Sequence, residues 1–396
     1  METNRYKLGQ LLSIRNGKDY KILKPGKIPV FGSGGIMTYV DGFLYDKESI
    51  LLPRKGTLNN IIYVDYPFWT VDTMYWSIIN ADLCYPKFLY YYLSCLDLSS
   101  RYQGSTLPSM TFDVYYDIDV DLPEMEIQRK IGDLLNLFDK KIETNKKIID
   151  TLSETARTIY DYWFLQFEFP NEEGKPYKSS GGKMVWNQTI KKEIPVFWKI
   201  RKIRDCIDHI NTGLNPRDNF VLNNGNIRYI TVKNITTTGT IDFAGCDTIN
   251  EETKRLINRR SMVSKGDILF ASIAPLGRCF LVEETPDDWE INESIFSIRP
   301  KSNMVSPEYL FMVFMSDSFV KKAEHSSTGS IFSGIRISTL EDMDIVVPDK
   351  NTMEKLSSVV APIYLKKYFC SKENEKLHNE RNYLLPLLIS GQVQIG

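Results

Sequence analysis

Three short segments contain residues typical of nucleotide, methyl-donor or nuclease sites, but each lacks a residue that the chemistry requires. The glycines of residues 31–35 are followed by no helix pattern and no downstream acidic residue in a strand-helix-strand unit, so we expect a turn. Residues 215–218, Asn-Pro-Arg-Asp, lack the second proline and the aromatic ring with which amino-methyltransferases hold a flipped adenine. Residues 348–355 lack the spacer between Glu and Lys of a nuclease core, and no phosphate-binding P-loop spacing occurs. The sequence therefore predicts a non-catalytic chain.

Metal-binding patterns are also missing from the sequence. The three histidines, His209, His325 and His378, are far apart, and the six cysteines form no Cys-x-x-Cys pair. This spacing favours reduced thiols over a disulfide framework or a zinc site. We expect neither a metal ion nor a cofactor.

Four polar loops carry side chains that could recognise DNA. They are residues 53–60, 104–111, 271–278 and 329–336, and a basic cluster lies at residues 254–265. Arg, Lys, Asn and Ser can hydrogen-bond to base edges, and glycine lets backbone N–H groups approach phosphate. The candidate DNA-binding residues are Arg54, Lys55, Thr57, Asn59, Asn60, Ser105, Thr106, Arg259, Arg260, Ser272, Arg278, Ser330 and Arg336.

The overall charge argues against DNA binding through bulk positive charge. The chain has 396 residues, 42% of them hydrophobic and 25% charged, with a net charge of -1 and a pI near 6.4. This composition is typical of a folded globular protein. Any contact with DNA must therefore come from local clusters.

The chain is a tandem repeat. Residues 48–52 match residues 266–270, residues 85–89 match residues 306–310, and Leu152 matches Leu377, in the same order. The offset between the copies drifts only from 218 (266 − 48) to 225 (377 − 152). A duplication of about 220 residues is therefore expected, and 396 residues leave room for two or three domains.

The first part of each repeat contains short apolar and aromatic runs bounded by Gly, Pro, Asn and Asp. Examples are residues 50–52, 61–64, 268–270 and 345–347, which predict short strands in a mixed α/β module. One helix per module is expected, at residues 86–96 and 307–323, because each segment opens with a proline suited to the first helical turn.

The second part of each repeat has heptad spacing. Apolar residues and two asparagines recur at intervals of 3 and 4 on one face of each segment, which predicts a coiled-coil seam with polar residues that set its register. The candidate seam residues are Phe138, Ile142, Asn145, Ile149, Leu152, Asn374, Leu377 and Leu384. Because prolines kink or end helices, Pro362 and Pro386 limit the predicted second helix to about residues 362–385. Lys367 and Arg381 also fall on this seam.

Two such helices in one chain can pair only if the chain folds back, which favours an antiparallel coiled coil. A seam of about 36 residues would be about 54 Å long and would act as a spacer. The alternative is that each helix packs on its own module as an ordinary amphipathic helix.

The predicted fold class is mixed α/β (α+β), a pseudo-twofold tandem repeat of two globular modules and two long helices. The predicted domains are recognition module 1 at residues 1–122, the first spacer helix at 123–168, a polar linker at 169–197, module 2 at 198–348 and the second spacer helix at 349–396.

Several segments resemble the specificity subunits of type I restriction-modification systems. They are residues 50–57, 66–75 and 265–269 in the modules, residues 122–129 at the start of the first helix, and residues 177–198 in the linker. The likeness spans essentially the whole chain, and its order matches the two-module architecture.

The resemblance implies that each module, a target recognition domain, reads one half of a bipartite, asymmetric site in double-stranded DNA. The helices would set the gap and dock two modification (methyltransferase) subunits, which hold S-adenosylmethionine, and two ATP-dependent restriction subunits would join them. Partner subunits could then supply much of the phosphate-binding surface.

Two other functions make different demands on the sequence. An independent adenine methyltransferase would need the cofactor loop and the Asn-Pro-Pro-aromatic motif that this sequence lacks. A coiled-coil scaffold without DNA binding remains the alternative. Because no apolar run approaches the roughly 18 residues of a membrane span and the N-terminus has no signal-peptide pattern, a cytoplasmic location is expected.

Overall fold

The computed structural model describes residues 2–98, 109–326, 334–393 and 395, and it contains two compact units. Unit 1 comprises Met1–Glu143 and Lys376–Gly396, and unit 2 comprises Thr144–Glu375. Each unit therefore combines one globular module with part of each of two long helices.

Unit 1 is a mixed α/β module. Its strands are β1 (Asn4–Lys7), β2 (Leu12–Arg15), β3 (Pro25–Gly32), β4 (Gly35–Val40), β5 (Ser49–Pro53), β6 (Ile62–Val64), β7 (Trp69–Thr70), β8 (Met74–Ile79) and β9 (Asp119–Leu122), and its short helices are α1 (Leu8–Leu11), α2 (Pro86–Ser94) and α3 (Phe112–Tyr116). The glycine-rich residues 31–35 form the turn between β3 and β4, as the sequence predicted.

The remaining elements follow in chain order. They are α4 (Met125–Tyr160), which continues as a π-helical turn (Asp161–Leu165); β10 (Met184–Asn187), β11 (Lys192–Pro195), β12 (Lys199–Lys202), α5 (Ile203–Cys206), β13 (Ile207–Thr212), β14 (Ile227–Ile230), a 3-10 turn (Val232–Asn234), β15 (Asp247–Ile249), α6 (Glu251–Asn258), β16 (Ile268–Ala271), β17 (Cys279–Leu281), β18 (Trp289–Ile291), β19 (Ile295–Pro300), α7 (Pro307–Met315), α8 (Asp317–His325), α9 (Ile337–Glu341), β20 (Asp344–Val347) and α10 (Lys350–Ile389).

The two modules share one topology, which confirms the predicted tandem repeat. Module 1 has a four-stranded sheet in the order β2-β8-β5-β6 and a three-stranded sheet in the order β4-β3-β7. Module 2 has the matching orders β13-β19-β16-β17 and β15-β14-β18. In each module the first strand also pairs with the last, β1 with β9 and β12 with β20. Helix α6 has no counterpart among the described residues of module 1.

A glycine marks the same backbone crossing in each module. A Cβ atom on Gly17 would lie 2.0 Å from the carbonyl oxygen of Val71, and one on Gly213 would lie 1.9 Å from that of Ile291. Because no side chain fits at such a distance, both positions require glycine. Both modules therefore share not only their strand order but also this close contact between two backbone segments.

The predicted module helices are correct in position but not in extent. The first is Pro86–Ser94, close to the expected residues 86–96. The second breaks at Ser316, which has a ψ of 140° and separates Pro307–Met315 from Asp317–His325. The Ser316 hydroxyl caps the second helix by accepting from the Phe319 N–H group, so a local cap ends a pattern that the sequence suggested was continuous.

The second long helix extends further than the sequence predicted. It runs unbroken from Lys350 to Ile389, so the limit at about residues 362–385 was wrong. Met353, Leu356 and Val360 precede Pro362 and are buried. Their burial offsets the one backbone hydrogen bond that the exposed Pro362 cannot donate.

The predicted linker contains ordered structure. Strands β10 and β11 form a hairpin, and the ring of Phe169 stacks on Tyr177 at 4.6 Å and on Trp198 at 4.9 Å. These aromatic rings join the hydrophobic core of unit 2. The segment is thus anchored on unit 2, although its polar composition alone predicted only turns.

Candidate nucleic-acid interface and helix seam

The loop of residues 53–60 follows the buried strand β5 in module 1. The N–H groups of Arg54 and Lys55 donate to the carbonyl oxygen of Thr73 at 2.9 and 3.4 Å. The side chains of Arg54 and Lys55 are half-exposed, whereas Thr57 and Asn59 are exposed. The backbone is therefore held in place while these four polar side chains remain accessible.

The matching loop of module 2, residues 271–278, has the same backbone anchor. The Ser272 N–H group donates to the carbonyl oxygen of Ser294 at 2.9 Å, as Arg54 does to Thr73. The Ser272 hydroxyl donates to the same oxygen at 2.8 Å and is nearly buried. The two modules thus share a loop framework but expose different side chains.

The described ends of the second pair of predicted loops, residues 109–111 and 334–336, contact the first pair. The Met110 N–H group donates to the Arg54 carbonyl at 2.9 Å, and in module 2 the Ile335 N–H group donates to the Ser272 carbonyl at 2.8 Å. Isolated β-bridges, Lys55 with Ser109 and Ile273 with Gly334, reinforce both contacts. The structure therefore brings the described end of each second loop against the first loop of the same module.

Not every predicted residue can be placed in this pair of loops. Arg336 is exposed and forms the N-cap of α9. Ser105, Thr106 and Ser330 lie outside the described residues.

Asn60 and Arg278 occupy equivalent positions and both bind backbone carbonyls. The Asn60 amide donates to the carbonyl oxygen of Ser33 at 2.8 Å. The Arg278 guanidinium donates to those of Ile235 at 3.2 Å and Val232 at 3.5 Å. Asn60 thus holds the segment that follows β3, and Arg278 holds the segment that follows β14. Either side chain would have to give up its carbonyl partners in order to bind DNA.

The predicted basic cluster lies around the end of α6. Arg259 and Arg260 are exposed and follow its last turn, where they can face a phosphate backbone. Lys254 is instead bound to the carbonyl oxygen of Asp287.

A second basic segment was missed in the sequence. Five exposed cations recur at every third position from the last residue of β2 to the first part of β3, and none of them forms an ion pair within the described parts of the chain. They are Arg15, Lys18, Lys21, Lys24 and Lys27. Their regular spacing is visible in the sequence, but the segment matches no residue cluster in the second repeat, so the duplication does not mark it.

The predicted seam is buried in both units. In unit 2, Asn145 and Asn374 are 1% and 8% exposed, and the Asn145 amide donates to the side-chain oxygen of Asn374 at 2.9 Å and to Glu373 at 2.7 Å. Of the other candidate seam residues, Ile142 and Ile149 are buried, and Phe138, Leu152, Leu377 and Leu384 are half-buried.

The pairing is antiparallel within each unit. In unit 2, Asn145 of α4 meets Asn374 of α10, and Asp150 lies near Lys367, so residue numbers rise along one helix as they fall along the other. In unit 1, Asp139 of α4 binds Arg381 of α10. This confirms the antiparallel coiled coil.

Two cations on this seam are held by specific partners. Arg381 binds Asp139, which also accepts a hydrogen bond of 2.6 Å from the hydroxyl of Tyr91 on α2. Burial and this hydrogen bond raise the pKa of Tyr91. Lys367 is 4% exposed, and its Nζ atom donates to the carbonyl oxygen of Thr238 at 2.6 Å. Burial lowers the pKa of Lys367 to about 8.

A duplicated α/β module with paired polar loops, joined to an antiparallel helix pair, defines a two-module recognition protein. The family model for the type I restriction modification DNA specificity domain matches residues 2–154 and 195–378. The chain belongs to this family, which confirms the resemblance seen in the sequence. It is accordingly a DNA sequence-recognition component of a type I restriction-modification system and not a catalytic subunit.

Curated relatives and a solved structure agree with this assignment. The chain is 25% identical over 361 residues to the type I restriction enzyme MjaIX specificity subunit of Methanocaldococcus jannaschii, covering 89% of this chain and 79% of the relative. It is 23% identical over 372 residues to the HindI specificity subunit of Haemophilus influenzae, covering 79% of each. The crystal structure of the type I S subunit from M. genitalium shares the fold, with a TM-score of 0.63 at 16% identity over 98% of this chain and 96% of that one.

Neither a membrane-spanning helix nor a metal-binding cluster occurs among the described residues. None of the helices there has the length and apolar character needed to span a membrane. No group of three or more His, Cys, Asp or Glu side chains there could hold a metal ion.

Proposed function

We propose that modules 1 and 2 each recognise one half of a bipartite, asymmetric site in double-stranded DNA. The observation that carries this proposal is the shared loop framework with divergent side chains: Arg54 and Ser272 have the same backbone anchor but different chemistry. Module 1 exposes Thr57 and Asn59 in this loop. Module 2 exposes Ile273 but buries Ser272. Two copies of one framework with different exposed groups suit two different half-sites.

Base recognition is assigned to the polar loops and phosphate binding to the basic segments. Arginine, lysine and asparagine can bind base edges in the major groove, so Arg54, Lys55 and Asn59 are the main candidates in module 1. The five cations of residues 15–27 and the pair Arg259 and Arg260 suit the phosphate backbone. These local clusters explain how a chain of net charge -1 can bind DNA.

Helices α4 and α10 would set the gap between half-sites and dock two modification subunits, with which two restriction subunits would assemble in the cytoplasm. Apolar side chains on the outer faces of α10 support a docking role. Val359, Leu365 and Phe369 are 44%, 41% and 52% exposed in unit 2, and Tyr383 is 71% exposed in unit 1. Exposed apolar groups of this kind are typical of surfaces that bind another protein.

Methylome sequencing tests this function. A host that carries this chain with its modification subunit should show methyladenine in one motif with two specified halves and a gap of fixed length. A host lacking the chain is the control. Absence of a bipartite motif, or methylation without sequence preference, would overturn the proposal and favour a scaffold without DNA binding.

A further inference from the structure

Lys367 occupies a seam position of α10 at which the heptad pattern calls for an apolar side chain. It is 4% exposed, and its Nζ atom donates to the carbonyl oxygen of Thr238 at 2.6 Å. The hydroxyl of Ser153 on α4 lies 3.4 Å from the same oxygen. Because the Ser153 hydroxyl donates to the Ile149 carbonyl at 2.7 Å, Lys367 is the main donor to this carbonyl group of module 2, which lies beside α4.

This carbonyl belongs to the threonine loop, defined here as residues 231–242. The loop is closed on itself, because the Thr236 N–H group donates to the Thr240 carbonyl at 2.9 Å and Ile235 bridges Ile241. At its base, the Asn234 amide donates to the Asp242 carbonyl at 3.1 Å. So many internal hydrogen bonds make the loop a stiff connection.

The other end of the threonine loop is held by Arg278. Its guanidinium donates to the carbonyl oxygens of Val232 and Ile235, while its own carbonyl oxygen accepts from the Ala271 N–H group at 2.9 Å. Arg278 therefore closes the recognition loop of residues 271–278 and attaches it to the threonine loop. A continuous set of hydrogen bonds runs from the α10 seam to that recognition loop, all within unit 2.

We infer that Lys367 and Arg278 are positioning residues that fix the recognition loop of module 2 on α10, and that they set base discrimination without contacting DNA. The inference rests on the proposed DNA-binding role of residues 271–278. It gives a function to the lysine that interrupts the seam.

Seam stability alone does not account for Lys367. Burying an ammonium group is costly, and replacing buried ionic groups with well-packed apolar side chains is often neutral or stabilising. The nearby acidic group, Asp150, forms no ion pair with Lys367 within the described residues. Lys367 donates a hydrogen bond to the Thr238 carbonyl oxygen, and an apolar residue at this position could not form that bond.

Arg381 supplies a matched comparison in unit 1. Through Asp139 it connects α10 to Tyr91 on helix α2 of module 1. A substitution of Arg381 also removes a cation from the seam, but it weakens the connection between α10 and module 1 instead of module 2.

The test uses the full chain assembled with its modification subunits and duplexes that carry the site found by methylome sequencing. Lys367→Met keeps the length of the side chain but removes the donor. We expect only a small change in thermal stability, because the loss of the hydrogen bond to Thr238 and the removal of a buried ammonium group have opposite effects. Discrimination against single-base changes should fall about 5- to 30-fold in the half-site of module 2 only, as expected for one charged hydrogen bond. Arg381→Met should affect only the half-site of module 1.

Two further variants keep the test decisive. Lys367→Arg retains a donor and should recover part of the discrimination. Arg278→Lys keeps the charge but loses the two-carbonyl contact, and it should reproduce the one-sided loss even if Lys367→Met folds poorly. Unchanged discrimination in Lys367→Met and Arg278→Lys, or an equal loss at both half-sites, would overturn the inference. If the wild-type chain itself recognises no bipartite site, the proposed function fails instead.

Discussion

The side-chain amide of Asn145 donates a hydrogen bond of 2.9 Å to the side-chain oxygen of Asn374 inside the helix pair of unit 2. Both residues are almost fully buried, and the Asn145 amide also donates to Glu373 at 2.7 Å, so these buried amides depend on this register for their partners. A shift of one helix along the other would bury both without partners. The pair therefore selects one register at some cost in stability.

Substitutions of Asn145 and Asn374 should show what this polar pair costs in stability. Asn145→Ala is expected to lower the free energy of unfolding by about 1–3 kcal/mol, because Asn374 loses its buried partner. Asn145→Leu combined with Asn374→Leu should instead raise it. Denaturant unfolding measures both changes, with Lys146→Ala, an exposed position on α4, as the control. A double variant less stable than Asn145→Ala would contradict this explanation.

Glu290 should make the stability of module 2 depend on pH. It is 2% exposed on β18, one of its carboxylate oxygens has no hydrogen-bond partner within the described structure, and burial raises its pKa to about 7 although Asn258 and Lys254 oppose the shift. The folded state then retains a proton that the unfolded state releases near pH 4.5. Stability should therefore fall as pH rises from about 4.5 to 7, by about 3 kcal/mol, and stay low above pH 7.

Thermal unfolding between pH 4.5 and 8 tests this dependence. Glu290→Gln removes the titrating group, so the Tm of the variant should fall less over this range than that of the wild-type chain. Glu251→Gln, at the exposed start of α6, is the control and should retain the wild-type slope. Equal slopes for wild type and Glu290→Gln would rule out this role of Glu290.

The basic segment of module 1 should determine part of the salt dependence of DNA binding. Each phosphate contact contributes about 0.9 to the slope of log K against log salt concentration, because bound counterions are released. Replacing Lys18, Lys21, Lys24 and Lys27 with glutamine should lower the slope by about 2–4 while the preferred sequence stays the same.

Four exposed lysines elsewhere provide the matched control for this charge change. They are Lys178, Lys183, Lys191 and Lys192, in the segment around the β10–β11 hairpin. Their replacement with glutamine removes the same charge. Equal reductions in slope for the two variants would show that net charge, and not the basic segment, determines binding.

Exchange of module 1 tests the division of the DNA site. Residues 1–122 replaced by the corresponding module of another family member should change one half of the methylated motif and leave the other half and the gap unaltered. The motif is measured by methylome sequencing. A change in both halves would contradict independent recognition by the two modules.

Lengthening the helix pair tests the spacer role. Seven residues inserted after Glu143 and seven before Lys376 add one heptad to each helix and preserve the seam pattern. At 1.5 Å per residue this adds about 10 Å, so the gap in the motif should grow by about three base pairs. An active complex with an unchanged gap would show that the helices do not set the spacing.

The tandem repeat and the seam could be predicted from the sequence because both are periodic. Apolar residues every three or four positions mark the buried face of a helix whatever its partner is, so the sequence alone identifies the seam residues Ile142, Asn145, Ile149 and Asn374. The matched order of short segments likewise predicted equal topology in the two modules.

Only the tertiary structure decided which loops meet and what their side chains bind. Asn60 and Arg278 suited base recognition by residue type, yet both bind carbonyl groups of segments distant in sequence. Lys367 interrupts the apolar pattern of the seam, and only the structure shows that it binds the Thr238 carbonyl oxygen. The physical reason is that periodicity is a local property of the chain, whereas the partner of a buried polar group is set by long-range packing, which also carried α10 through Pro362.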